Sequence, residues 1–347
     1  MINKSKPVLV TGATGYIAGW VVKNLLDDGI TVHAAIRDSS NKEKLIYLDK
    51  LAENSKGSIK YFETDLLNDG SYKEAMDGCE LVFHIASPFI MDSKDPQKEV
   101  IDPALQGTKN VLNSVNNVKS VKKVVLTSSV AAIYGDNIDS SKVPGGIFDE
   151  SMWNTSSTPN YGEYSYSKLV AEKEAWKTYK SQKRWDLAVI NPSFVLGPSI
   201  NPFSNFESKK FMLQMGNGDL KNGVPDIVLG AVDVRDVAEA HIKAGFDEKA
   251  KERYILSNES VSMLQIATFI KKKYGNKYPV PTKNAPKFLI WLIAPFIGVK
   301  RNFIKNNVGY RVDFDNRKSK NILGINYRSI EKAITDFFQQ FIDHDFI

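Results

Sequence analysis

The sequence contains few of the residues that form disulfides or bind metals. Its 347 residues include one cysteine, Cys79, and four histidines. A single cysteine excludes an internal disulfide, and its place just before a predicted strand favours a small core residue in a protein of a reducing compartment. No His, Cys and carboxylate residues have metal-ligand spacing, so we expect no metal. We expect a cytoplasmic location.

Long apolar runs and strong charge are also missing. The longest apolar run, Phe288 to Val299, is about half of what a membrane span needs, and we expect a helix buried against the protein. The net charge is only +6, and the lysines are scattered without interleaved aromatic residues. Neither a nucleic acid nor a membrane is therefore an expected partner. The absence of a Gly-x-Ser-x-Gly motif argues against a serine hydrolase.

A glycine-rich turn near the N-terminus predicts a dinucleotide site. Val8 to Val10 form an apolar run typical of a buried strand, Gly12 and Gly15 follow in a tight turn, and apolar residues then recur at helical spacing. This order lets the backbone and the helix N-terminus approach a pyrophosphate. Ala18 takes the third glycine position, where alanine is accepted. The predicted contacts are Thr11, Gly12, Thr14, Gly15, Tyr16 and Ile17.

Strands alternate with helices through most of the chain, which predicts an α/β fold with a doubly wound parallel Rossmann sheet. The predicted strands are 7–11, 31–36, 58–64, 80–86, 122–128, 186–191, 226–230 and 252–257. The predicted helices are 16–28, 41–54, 71–76, 97–117, 162–182, 204–215, 234–247, 262–273, 285–297 and 329–343. We expect residues 1–191 and 226–257 to bind the dinucleotide. Residues 192–225 and 258–347 are expected to form a smaller, discontinuous, mostly helical substrate lobe.

The residues after the second strand favour NADP(H) over NAD(H). Arg37 leaves this strand where an NAD-selective enzyme normally carries an acid, and Lys44 lies about one turn into the next helix. Both cations suit a 2′-phosphate, although Asp38 would place an acid near the ribose if the register slipped by one residue. The ends of the next two strands are expected to add Asp65, Leu66, Ile85, Ala86 and Ser87.

Tyr164 and Lys168 form the most informative pair in the chain. Residues four apart share one face of a helix, so the ammonium can lie near the phenol. A neighbouring cation favours the phenolate, and we expect it to lower the phenol pKa from about 10. Such a pair is a weak signal alone, but here it follows a serine pair and the glycine turn.

Several segments together resemble the extended short-chain dehydrogenase/reductases. They are TGATGYIAGW, VFHIASPF, KVVLTSSVAA, YSYSKLVAEKEAW, NPSFVLGP and VDVRDVAEAHI. More narrowly, they are similar to the branch of dihydroflavonol reductase, cinnamoyl-CoA reductase and yeast-type aldehyde (methylglyoxal) reductase. The likeness covers residues 7–257, and Lys168 to Trp176 has one residue more than the segment typical of that branch.

The resemblance implies an NADPH-dependent reduction of an aldehyde or ketone. Tyr164 would be the proton donor, Lys168 would lower its pKa and hydrogen-bond the nicotinamide ribose, and Ser129 would hold the carbonyl oxygen, with Ser128 as its competitor. It also implies cofactor contacts at Thr127, Pro192 and Val195. The alternatives are a nucleotide-sugar epimerase or dehydratase, a hydroxysteroid-type dehydrogenase and a non-catalytic nucleotide sensor. The Val130-Ala-Ala-Ile sequence argues against dehydration.

Aromatic residues predict a hydrophobic or aryl carbonyl substrate. The candidate contacts are Phe89, Tyr134, Phe194 and Phe211. We expect a monomer or a homodimer, with helices 97–117 and 162–182 as the dimer contact. Other polar residues are expected to be structural: His84 and His241 in the interior, Tyr161 and Tyr166 in packing or the pocket, and Asp233 and Asp236 at a turn and helix N-cap.

Overall fold

The computed structural model describes residues 1–87 and 95–347. Its strands are β1 (Val8–Thr11), β2 (Thr31–Ile36), β3 (Ser58–Glu63), β4 (Leu81–His84), β5 (Lys123–Thr127), β6 (Ile147–Phe148), β7 (Asp186–Pro192), β8 (Phe194–Leu196), β9 (Val228–Asp233), β10 (Arg253–Leu256), β11 (Glu259–Ser262) and β12 (Asp313–Phe314).

The α-helices are α1 (Tyr16–Asp27), α2 (Lys42–Glu53), α3 (Asp102–Asn117), α4 (Glu163–Lys180), α5 (Glu207–Gly216), α6 (Val234–Phe246), α7 (Met263–Tyr274), α8 (Lys287–Ile293), α9 (Arg301–Asn307), α10 (Arg317–Asn321) and α11 (Ile330–Asp343). A π-helical turn, Gln97–Ile101, leads into α3, and a 3₁₀ turn, Ala294–Ile297, follows α8.

Seven parallel strands form the central sheet in the order β10-β7-β5-β4-β1-β2-β3. The chain starts in the middle, runs to one edge through β2 and β3, and returns to the other side of β1 through β4. This reversal opens a crevice at the carboxyl ends of β1 and β4, where doubly wound sheets bind their ligands. The predicted Rossmann fold is confirmed.

Both faces of the sheet are covered by helices because its strands are apolar on both sides. On one face, α1, α2 and α6 pack against Val8, Val10 and Phe83. On the other face, α3 and α4 pack against Leu9 and Val82. Cys79 lies fully buried on this second face, and burial raises the pKa of its thiol to about 12. The prediction that Cys79 is a core residue is confirmed.

The helix predicted at 71–76 is wrong. The chain forms consecutive turns there, with hydrogen bonds from the Lys73 N–H to the Gly70 carbonyl and from the Met76 N–H to the Tyr72 carbonyl. Gly70 and Gly78 both have positive φ and bound a stretch too short for a regular helix.

The strand predicted at 226–230 belongs to a second sheet. It forms β9, which pairs parallel with β8 and antiparallel with β11, outside the central sheet. Its inner residues join a separate core with α5, α7 and α11, in which Met212, Ile266 and Phe337 are fully buried. The smaller lobe therefore contains a three-stranded sheet as well as helices. β8 begins just after β7 ends, and β9 pairs with β8 instead of with a strand of the central sheet.

The helix predicted at 285–297 forms, but the expectation that it is buried is wrong. Of α8 and the turn that follows it, Ile290 and Ala294 are buried, whereas Phe288 and Phe296 are exposed. In residues 1–87 and 95–347, no helix is long and apolar enough to cross a membrane.

Candidate active site

The turn between β1 and α1 requires glycine. Gly12 has φ +63°, and a β-carbon there would lie 3.0 Å from the Ala86 Cβ. At Gly15, a β-carbon would lie 3.0 Å from the Gly12 carbonyl oxygen. Gly15 is also the N-cap of α1, which has no capping side chain and no acid in its first turn. Free N–H groups and the positive helix end fit a pyrophosphate, so these residues fit a dinucleotide.

Thr11 joins the two strands that border the crevice. Its hydroxyl accepts hydrogen bonds from the N–H groups of Ile85 and Ala86, at 3.0 Å each, and lies 3.1 Å from Nδ1 of His84. Thr11 is fully buried. The buried Thr11 side chain therefore fixes the backbone of Ile85 and Ala86, which are also predicted cofactor residues.

Tyr16 points toward the smaller lobe. Its hydroxyl donates to the Gly197 carbonyl at 2.6 Å, and its ring stacks on Phe206 with centroids 3.9 Å apart. Burial raises the pKa of this phenol well above its usual range. One turn later, the Trp20 indole donates to the Pro198 carbonyl at 2.8 Å. The Tyr16 side chain thus contacts the smaller lobe, and only its backbone N–H remains for the predicted phosphate contact. Thr14 is half-buried, and Ile17 packs against the core.

Cations lie beside the end of β2. Arg37 and Lys44 are both exposed there. The neighbouring Asp38 carboxylate accepts hydrogen bonds from the Ser40 hydroxyl at 2.5 Å and the Ser40 N–H at 2.9 Å, which lower its pKa. Asp38 is therefore bound to its own loop.

The two residues after β3 contact different neighbours. The Asp65 carboxylate accepts the Leu67 N–H at 2.8 Å and so shapes its own turn. Leu66 packs against α3. Its carbonyl accepts a hydrogen bond from the Asn110 amide at 2.8 Å, and a β-carbon at Gly107 would lie 3.2 Å from its side chain. Leu66 lines a cavity at the carboxyl end of the sheet, together with Ala86, Ser87, Thr127 and Lys168.

Helix α4 brings Lys168 to this cavity and carries Tyr164 one turn before it. It begins at Glu163, after Gly162 in the left-handed conformation, so Tyr164 lies in its first turn and Lys168 one turn later. Nζ of Lys168 lies 5.6 Å from the centroid of the Tyr164 ring and donates to the Ser87 hydroxyl at 2.9 Å. Three predicted site residues, two from α4 and one from the segment after β4, therefore meet at one place.

The two serines after β5 point in different directions. The Ser128 hydroxyl is buried and donates to the Glu172 carboxylate at 2.6 Å. Ser129 instead shares a side-chain hydrogen bond with Tyr164 and caps a short 3₁₀ turn by accepting the Ala131 N–H. Of the two alternatives, Ser129 is thus the serine beside the phenol.

The expected lowering of the Tyr164 pKa is wrong for this protein's own groups. Burial raises the pKa of Tyr164 to about 12, and the hydrogen bond with Ser129 opposes this only in part. Burial removes water from the phenolate and so disfavours the charged form of Tyr164. Burial lowers the pKa of Lys168 to about 8, against the Glu172 charge, which raises it.

A buried ion pair lies under the serines and the lysine. Glu172 accepts a hydrogen bond from Nε of Arg253 at 2.6 Å and from Asn191 at 2.8 Å, in addition to that from Ser128. The Asn191 amide also donates to the Ser129 carbonyl at 3.1 Å. Glu172 therefore joins α4 to the carboxyl ends of β5 and β7 and to the first residue of β10.

Sequence reasoning missed Glu172, although a signal was available. Tyr164, Lys168 and Glu172 follow one another at intervals of four, which places all three on one face of α4. Its partner Arg253 lies 81 residues away, and only the sheet brings the two together.

Two of the buried histidines contact predicted cofactor residues. His84 and His241 are buried, and burial lowers their pKa values to about 3 and about 4, so both are neutral near pH 7. Nε2 of His241 lies 2.6 Å from the Thr127 hydroxyl. Asp233 caps α6, as predicted, whereas Asp236 accepts the Arg328 N–H instead of capping a helix.

The substrate candidates divide into two groups. Phe194 and Phe211 form an edge-to-face pair with centroids 5.3 Å apart. Tyr134 packs elsewhere, against Phe148 and Phe314 at 5.3 Å each. Phe89 lies outside the described residues. Of the remaining cofactor candidates, Pro192 ends β7 and Val195 lies in β8. Among residues 1–87 and 95–347, no group of His, Cys and carboxylates could hold a metal ion.

Comparisons with known proteins show the family of the chain. The model of the NAD dependent epimerase/dehydratase family matches residues 8–256. The chain is 35% identical to cinnamoyl-CoA reductase CAD2 of Medicago truncatula over 336 residues, 96% of this chain and 95% of the relative. It is 36% identical to an anthocyanidin reductase of Vitis vinifera over 290 residues, 80% and 83% of the two chains. The crystal structure of Gre2 from Candida albicans in complex with NADPH matches with a TM-score of 0.77 and 31% identity, covering 97% of this chain and 98% of that one.

Proposed function

The chain belongs to the NAD dependent epimerase/dehydratase family and is an NAD(P)-dependent oxidoreductase, and we propose that it uses NADPH to reduce an aldehyde or ketone to the alcohol. The observation that carries this proposal is the meeting of Tyr164 with Ser129 and Lys168. Lys168 also lines a cavity together with Ala86, the residue that a β-carbon at Gly12 would meet. Relatives named as reductases favour reduction over epimerisation.

The cofactor, when bound, supplies the hydride, and the protein supplies the proton and the orientation. The hydroxyls of Ser129 and Tyr164 hold the carbonyl oxygen as negative charge develops on it. With a pKa of about 12, Tyr164 is fully protonated at neutral pH and gives its proton to this oxygen. Lys168 remains mostly charged below pH 8 and stabilises the phenolate left behind, until water returns the proton.

The preference for NADPH follows from the loop after β2. Arg37 and Lys44 are exposed beside it, whereas the Asp38 carboxylate is engaged by Ser40. Arginine binds a phosphate with a planar pair of N–H groups, so Arg37 is the proposed contact of the 2′-phosphate. The Phe194–Phe211 pair would present an aromatic wall to a hydrophobic or aryl carbonyl.

The first test is oxidation of NADPH or NADH by the purified protein with a panel of small aldehydes, α-dicarbonyls, aryl ketones and a flavanonol. We expect turnover with NADPH that disappears in Tyr164→Phe. Turnover of UDP-sugars by the protein, with none of any carbonyl, would overturn the proposal.

The cofactor assignment has its own test. Arg37→Glu should raise the KM for NADPH far more than the KM for NADH, because it replaces the proposed phosphate contact by a like charge. Lys50→Glu, at the opposite end of α2, is the matched control and should leave both constants unchanged. An equal effect of Arg37→Glu on the two cofactors would contradict the assignment.

A further inference from the structure

An apolar surface lies on α8 and the 3₁₀ turn that follows it. Its members, which we call the apolar face, are Phe288, Leu289, Leu292, Ile293, Phe296 and Ile297. Phe296 is 88% exposed and Phe288 is 67% exposed. Single exposed apolar side chains are normal on protein surfaces, whereas a continuous group of six marks a site of interaction.

The opposite side of this segment is firmly packed. Ile290 and Ala294 are buried in a small core with Ile304, Val308 and Ile227. A surface helix normally pairs a buried apolar side with a polar outer side. Because α8 is apolar on both, its outer side requires a covering partner.

The chain segment that contains the apolar face carries charge of one sign. From Ser260 to Val312 the sequence contains no Asp or Glu. It contains the cations Lys271, Lys272, Lys273, Lys277, Lys283, Lys287, Lys300, Arg301, Lys305 and Arg311. Helix α9 packs against α8 and carries two of them, and the Arg301 guanidinium lies 4.3 Å from the centroid of the Trp291 ring on α8. Arg301 and Lys305 are exposed on α9 beside the apolar face, so they favour a partner that offers negative charge around an apolar centre.

These features separate the possible partners. A second copy of this chain would bring Arg301 and Lys305 against equally basic surfaces, which repel. A nucleic acid would leave the apolar face uncovered. An anionic lipid surface satisfies both parts, because it accepts apolar and aromatic side chains below its headgroups and attracts Lys and Arg at their level.

The sequence predicted no membrane partner, but the exposure of these residues argues otherwise. We propose that the apolar face binds an anionic membrane surface, with α8 lying in the plane of the interface. A run of twelve apolar residues, Phe288 to Val299, is too short to span a bilayer but suits an interfacial segment. The segment is tied to the catalytic helix, since Lys300 pairs with Glu163 at 2.5 Å, next to Tyr164. The proposal does not depend on the reaction assigned above.

The test is co-sedimentation of the full chain with vesicles of phosphatidylcholine, with and without about one-third phosphatidylserine. We expect binding to the anionic vesicles that weakens as salt is added, because screening reduces the attraction of the cations. Leu292→Ser combined with Phe296→Ser should reduce binding at least tenfold, and Arg301→Glu combined with Lys305→Glu should remove the preference for phosphatidylserine.

The controls are Ile46→Ser and Lys183→Glu. Ile46 is an exposed apolar residue on α2, and Lys183 is an exposed cation outside the segment that contains the apolar face. Both should bind like the unchanged protein, and all variants should keep its thermal midpoint. Absence of vesicle binding, or equal binding by the Leu292/Phe296 variant, overturns the proposal. A dimer in sedimentation velocity that this variant dissociates would identify a second copy as the partner and overturn it too.

Discussion

At the scale of single residues, the site depends on which hydroxyl lies beside which group. Ser128 and Ser129 are adjacent in sequence, yet one is held by Glu172 and the other by Tyr164. In an extended backbone, neighbouring side chains point to opposite sides. This alternation separates the serine that is held by Glu172 from the serine that lies beside Tyr164.

Replacing the Tyr164 hydroxyl tests the proposed proton donor. We expect Tyr164→Phe to lower kcat by about 10²–10⁴-fold, the usual contribution of a general acid, while the Kd for NADPH changes little. Steady-state kinetics and fluorescence titration of NADPH measure the two quantities. Tyr166→Phe, on the same helix, is the control and should keep nearly full activity. Near-normal kcat in Tyr164→Phe would assign the proton to another group.

The glycine turn can be tested with two matched alanines. Gly12 and Gly145 both have positive φ, +63° and +67°, but only Gly12 faces another residue, Ala86, at 3.0 Å. Gly145→Ala should lower the free energy of unfolding by about 1–2 kcal/mol through backbone strain alone. Gly12→Ala should lower it further and weaken NADPH binding, because the β1–α1 turn must shift. Equal stability and unchanged NADPH affinity would contradict this account of the turn.

At the scale of elements, helix α4 carries the two predicted site residues and Glu172 on one face. Tyr164, Lys168 and Glu172 lie on successive turns, so the charge of Glu172 acts on Lys168 from one turn below. Arg253 also donates to the Glu150 and Met152 carbonyls, at 2.8 and 2.6 Å, and stacks on Trp153. The ion pair therefore holds α4 against the sheet edge, and we regard Glu172 as a positioning residue.

The pH dependence of turnover tests this role. Lys168, with a pKa of about 8, is charged below that pH and neutral above it, so kcat should fall as pH rises through about 8. Glu172→Gln removes the charge that raises this pKa, and the alkaline limb should move to lower pH. Unfolding should also become easier by roughly 3 kcal/mol, since Arg253 loses its buried partner.

Glu174→Gln, on the same helix but half-buried, is the matched control and should leave the limb in place. A Glu172→Gln variant that is less stable but has the same limb would make Glu172 a purely structural residue.

At the scale of the whole molecule, acid stability depends on histidines buried without charge. The pKa of a histidine in an unfolded chain is about 6.5. In the folded protein, burial lowers the pKa values of His84 and His241 to about 3 and about 4. At a pH between the folded and unfolded pKa values, these histidines are protonated in the unfolded chain and neutral in the folded one. The stability they contribute is thus present above pH 6.5 and lost as pH falls.

Urea unfolding at pH 7 and pH 5 measures this loss. We expect each buried histidine to cost about 2 kcal/mol over this interval. His241→Gln should be less stable at pH 7 but lose about 2 kcal/mol less between the two pH values. His344→Gln, at an exposed position, should lose as much as the unchanged protein. The same loss in His241→Gln would contradict its neutral burial.

The sequence by itself determined the Rossmann sheet, the glycine turn and the spacing of Tyr164 and Lys168. These are local patterns, since strand alternation, a tight turn and a helical repeat are each written within a few neighbouring residues. Only the tertiary structure decided which serine meets the phenol, that burial raises its pKa, and that β9 leaves the central sheet. Desolvation and strand pairing depend on residues distant in the chain, such as Glu172 and Arg253, and no local pattern contains them.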